Sequence, residues 1–140
     1  MVKNLHALIR FNKWTVDERR RELSKVLGSL RSLEDGLHRL SKELHHEQQA
    51  AQSSPNEAGL FYGNYATAVI KQRNDLDAGI VRMEKEVAEA RARLDESYRE
   101  LKKFEITQKT RDLKLAQEVG RQEIKEMDEM ALQVHRTKSS

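Results

Sequence analysis

Residues 23–44 read LSKVLGSLRSLEDGLHRLSKEL. Within this stretch Leu23, Val26, Leu30, Leu33, Leu37, Leu40 and Leu44 recur at alternating steps of three and four, with polar and charged residues filling most of the gaps. Two apolar positions in every seven draw a narrow stripe along an α-helix. That is the pattern of a coiled-coil seam, whereas a helix lying on a globular core carries a broader apolar face. Toward the N-terminus the same spacing continues through Arg19, Val16, Asn12, Ile9, Leu5 and Val2, so that thirteen seam positions contain only two polar residues, Asn12 and Arg19. The pattern predicts a first helix over about residues 4–52.

The stripe is interrupted at Gln52-Ser53-Ser54-Pro55-Asn56-Glu57. Ser54 can cap a following helix, Pro55 suits its first turn, and Glu57 stands three residues after the cap, which together form a capping box. A turn at 53–55 and a second helix over about 55–135 follow, with a tail at 136–140. The second stripe runs Tyr62, Ala66, Val69, Arg73, Leu76, Ile80, Met83, Val87, Ala90, Leu94, Ser97, Leu101 and Phe104. Two long helices with matching stripes and a short connection predict an antiparallel hairpin within one chain, monomeric when alone; parallel dimerisation is the competing arrangement. Near Ile106 the pattern fails. It resumes out of phase as Leu113, Gln117, Gly120, Ile124, Met127, Ala131 and Val134. Folding at Ser54 leaves about 30 residues of the second helix without a partner, a helical overhang of about 45 Å. An all-α fold is therefore expected: one coiled-coil domain over 1–140, a long antiparallel two-helix hairpin with a C-terminal overhang whose Leu113, Ile124, Met127 and Val134 await another surface.

Composition agrees with this reading. Of 140 residues 35% are charged and 37% hydrophobic, too few apolar groups for an ordinary globular core, and one Pro leaves long stretches unbroken. The net charge of +3 is spread thinly: 10 basic against 7 acidic residues in 1–50, 7 against 9 in 51–100 and 9 against 7 in 101–140. Signs alternate throughout, as on a solvated helix surface, so no nucleic-acid partner is expected. With no Cys, disulfides and thiolate chemistry are excluded and a reducing cytoplasm fits. Met1–Phe11 is interrupted by Lys3, Asn4, His6 and Arg10, unlike a signal peptide, and no segment approaches a membrane span.

The residues offer no catalytic constellation. The six glycines form no phosphate-cradling pattern. His38, His45, His46 and Glu47 lack the H-E-x-x-H order of a helical zinc site and read as solvated side chains. Acidic residues on a coiled coil have no desolvated pocket to shift their protonation. The chain is expected to bind other proteins, to catalyse nothing and to carry neither metal nor cofactor. Two groups of side chains stand out for binding. Leu8, Phe11 and Trp14 lie three residues apart on a face away from the seam, open to a partner or to a wrap of the overhang. Phe61, Tyr62 and Tyr65 concentrate aromatics at the start of the second helix, where aromatic anchors suit an interface or plug the hairpin end.

Three features together resemble the flagellar FliJ family: the N-terminal leucine heptads, the segment Phe61-Tyr62-Gly63-Asn64-Tyr65, and the closing run Arg121-Gln122-Glu123-Ile124-Lys125-Glu126-Met127-Asp128-Glu129-Met130-Ala131, with Arg136-Thr137-Lys138 after it. The resemblance covers essentially the whole chain. It implies a cytoplasmic, non-enzymatic component of the bacterial type III flagellar export apparatus, peripheral to the inner membrane at the flagellar base. The implied fold is similar to the coiled-coil stalk of the rotary ATPase γ subunit. The implied partners are a hexameric FliI-like export ATPase and an FlhA-like export gate, with export chaperones as further candidates and the membrane reached only through the gate. By that analogy the ATPase-facing end comprises Leu5, Leu8, Ile9, Arg10 and Lys13 with Met127, Asp128, Glu129 and Ala131, and the gate-facing stripe comprises Tyr65, Val69, Gln72 and Leu76. The alternatives are the stalk protein of a virulence type III secretion system, a prefoldin-like hairpin chaperone or scaffold, and a structural or DNA-binding parallel dimer.

Overall fold

The structure, a computed structural model, describes residues 5–53 and 58–139, with only the backbone for 58–62. Val2, the proposed capping box at Ser54, Pro55 and Glu57, and the side chains of Phe61 and Tyr62 lie outside the described residues. All described residues are helical: α1 is Leu5–Ser53, 49 residues, and α2 is Ala58–Ser139, 82 residues. α2 runs through the segment read from sequence as a tail. Arg136 and Lys138 in its last turn suit that extension, because cations are favoured beside the partial negative charge of a helix C-terminus.

The two long helices pack against one another as an all-α hairpin. As residue number rises along α1 from Glu22 through Leu33 to Gly36, its neighbour on α2 falls from Arg93 through Gly79 to Leu76, so the helices run antiparallel. The chain divides into two compact units, Met1–Trp14 with Tyr98–Ser140, and Thr15–Ser97. A two-helix seam has no central core to draw its length into one cluster, since each turn touches only the turn beside it.

In the Thr15–Ser97 unit the seam is the one the heptads predict. Val16, Leu40, Val69, Val87 and Ala90 are buried, and Leu23, Val26, Leu30, Leu33, Leu37, Leu44, Leu76, Ile80, Met83 and Leu94 are half-buried. Two helices touching along a line leave many seam side chains half-covered, and a half-buried seam leucine is worth less than a fully buried one. Arg73 departs from the pattern and is exposed. The polar seam residues are each satisfied nearby. Arg19 Nη1 donates to Glu22 at 2.9 Å, Glu22 in turn meets Arg93 Nε at 3.5 Å across the helices, and buried Ser97 donates to the Leu94 carbonyl at 2.7 Å.

Two glycines lie where the helices face one another, and a Cβ at either would make only ordinary van der Waals contact. A Cβ at Gly79 would stand 3.4 Å from Leu33 Cδ1, and one at Gly36 would stand 3.6 Å from Leu76 Cδ2. Gly28 has no such neighbour: it is exposed in the middle of α1, and a Cβ there would meet nothing within 4 Å. Gly28→Ala is therefore expected to stabilise the protein by about 0.5–1 kcal/mol, through reduced backbone entropy in the unfolded chain, read as a higher urea midpoint.

Candidate functional site

In the unit formed by Met1–Trp14 and Tyr98–Ser140, the burial of α2 stops early. Leu5 and Leu101 are buried, and Ile9, Asn12, Phe104 and Gln108 are half-buried. From Lys109 to Ser139 every residue except half-buried Gly120 is exposed. The cause is length, α2 exceeding α1 by 33 residues. The overhang is helical because it is rich in Ala, Leu, Glu, Lys, Arg and Gln, with local support such as Gln108 Nε2 donating to Asp112 at 2.8 Å.

This overhang displays apolar side chains in a row. Ile106 is 61% exposed, Leu113 57%, Ile124 61%, Met127 68% and Val134 53%. At about 100° per residue, Ile106 points about 160° away from both Phe104 and Gln108, so the row lies on nearly the opposite side of α2 from the seam. The seam pattern does fail at Ile106, which is exposed. It is the first member of the outer row, and its seven-residue step to Leu113 was the available signal. Leu115, Val119, Met130 and Leu132, also exposed, lie off this row and were not singled out from sequence.

The residues assigned to an ATPase-facing end divide between two settings. Leu5 is buried, Leu8 and Ile9 are half-buried, and Arg10 and Lys13 are exposed. Met127, Asp128, Glu129 and Ala131 are all exposed on the overhang. The structure does not gather these two sets into one surface: Met127 lies about 28 Å along the helix beyond Gln108, where burial ends. Leu5 is 4% exposed and packs in the seam. Phe11 and Trp14 are 60% and 57% exposed and stack obliquely, ring centroids 6.1 Å apart at 31°, so the overhang does not wrap over them.

The gate-facing stripe also splits. Val69 is 3% exposed and belongs to the seam. Tyr65 is half-buried, its hydroxyl oxygen turned away from solvent. Gln72 and Leu76 do share a surface feature, an open groove of about 520 Å³ lined with Gly36, Arg39, Leu40, Glu43 and Asp75. The groove mixes an apolar floor with one cation and two anions, a combination suited to an amphipathic peptide segment more than to a small metabolite.

His38, His45 and His46 are exposed, and His45 Nε2 meets Gln49 Nε2 at 3.3 Å. Among the described residues no group of three or more His, Asp or Glu is placed to hold a metal ion, and no helix is long and apolar enough to cross a membrane. No curated protein and no solved structure matches the chain. The family model of the flagellar FliJ protein matches residues 1–140, the whole length, and the protein accordingly belongs to that family of structural components of the flagellar export apparatus.

Proposed function

We propose that this chain is a stalk-like coiled coil of the flagellar export apparatus, acting in the cytoplasm, that binds the hexameric export ATPase through its C-terminal overhang and the export gate through the groove near Gln72. The observation that carries this reading is the exposed row Ile106, Leu113, Ile124, Met127 and Val134 on a helix that has lost its intramolecular partner. Large apolar side chains held in water over so long a stretch mark a protein-binding surface. The exposed cations Arg10 and Lys13 add a second, charged contact to the same partner.

A rigid helical element can couple ATP hydrolysis to export without chemistry of its own. If the six ATPase subunits grip one asymmetric helix, each meets a different face, and differential binding shifts the subunits among their conformations. The test is the rate of ATP hydrolysis by the cognate export ATPase with the full chain or a chain ending at Gly120. Stimulation lost on truncation supports the reading, and no stimulation by the full chain at any concentration removes the ATPase from it.

For the gate, Gln72→Trp is expected to fill the groove and lower gate binding at least tenfold in calorimetry. The unfolding midpoint should stay put, since Gln72 is exposed and contributes little to the seam. Unchanged affinity for the gate would remove the groove from the reading.

A further inference from the structure

The outer row on the overhang has a symmetry of its own. Ile106, Leu113, Gly120, Met127 and Val134 follow at intervals of seven, so apolar side chains stand seven and fourteen places to either side of Gly120. Charge is distributed in the opposite sense. Residues 102–114 hold five Lys or Arg against two Asp or Glu, whereas residues 115–134 hold two against five. At the centre the row is notched, because Gly120 has no side chain and a Cβ there would meet nothing within 4 Å.

From this we infer that the overhang pairs with the overhang of a second copy of this chain, antiparallel, about an axis near Gly120. A seven-residue repeat keeps an apolar row facing one partner helix, where the natural period of a straight helix would let it drift around. In the antiparallel pair Leu113 comes level with Met127 of the other copy, and Ile106 with its Val134. The basic half of each overhang then lies along the acidic half of the other, with Lys114 near the level of Asp128 on both sides of the axis. A parallel pair would set cations against cations and anions against anions, which is unfavourable on packed helices. The two Gly120 positions leave the backbones free to approach at the crossing.

Opposing terms keep the association weak. The two copies of Arg121 approach one another near the axis. About eight side chains per helix take part, against the roughly 20–30 residues a side of a standard interface, so the association is a weak one. The pairing itself does not depend on the ATPase reading. Its consequence does rest on it: a dimer hides the row that the hexamer would bind, so free protein is held in reserve and the ATPase competes for it.

Because the chain has no Cys, orientation can be read by crosslinking single-cysteine variants. Leu113→Cys and Met127→Cys, both at exposed positions, are treated with a short bismaleimide separately and mixed, while the unaltered chain is followed by sedimentation equilibrium from about 1 to 200 µM. The expected result is a mass rising from monomer to dimer over that range, with the mixture crosslinking several-fold more than either variant alone. Monomer mass throughout overturns the proposal without depending on either variant. Strongest crosslinking of Leu113→Cys with itself overturns it in favour of a parallel pair. No ATPase is present, so failure here is separate from failure of the truncation test.

Discussion

The double substitution Ile124→Asp with Met127→Asp is expected to abolish stimulation of the export ATPase while leaving the unfolding midpoint of the hairpin unchanged. Both side chains are more than 60% exposed, so the folded chain loses little when they change. A partner that buries them gains about 1.5–3 kcal/mol from each, and the aspartates would also bring unpaired charge into the interface. The apolar term alone comes to about 3–6 kcal/mol, a weakening of two to four orders of magnitude in affinity. Titrating the chain into the ATPase and following phosphate release measures it. Full stimulation by the double variant, at wild-type concentrations, would remove the outer row from the ATPase contact whatever the truncated chain does.

Leu40→Ala is expected to lower the stability of the hairpin by about 2–5 kcal/mol, and Leu30→Ala by less. Both occupy seam positions, and the heptad alone gives no reason to rank them. Burial does: Leu40 is 9% exposed, whereas Leu30 is only half-buried. The cost at Leu40 is held toward the lower part of the range because its site opens into the groove beside Gly36, where water can follow the lost methyl groups. Urea denaturation followed by circular dichroism gives both values. Equal losses at the two positions would mean that the seam is packed by heptad position and not by local closeness of the helices.

The candidate site was less legible in the sequence than the fold. Leu5 and Val69 carried a binding role through family resemblance, yet each is buried in a seam, as a heptad position would be. Gln72, exposed, and Leu76, half-buried, border the groove. That groove was invisible in sequence. It is lined from both helices, by Gly36, Arg39, Leu40 and Glu43 of α1 and Gln72, Asp75 and Leu76 of α2, and so depends on the register between them. Membership of the flagellar family narrows the function to the export apparatus of the flagellum and sets aside the virulence-type alternative.

By itself the sequence determined the two stripes, the helical state of nearly every described residue, the hairpin and the presence of an unpaired C-terminal stretch. These follow from local quantities, helix propensity and a period of three and four, which each short segment carries regardless of its neighbours. Only the tertiary structure decided which seam positions are sealed and which half-open, that Arg73 stands outside the seam, and that Ile106 is left uncovered. Those outcomes depend on the unequal lengths of α1 and α2 and on which residues of each the register sets opposite the other. Periodicity fixes which way a side chain points; whether anything stands there to cover it is a property of the packed pair.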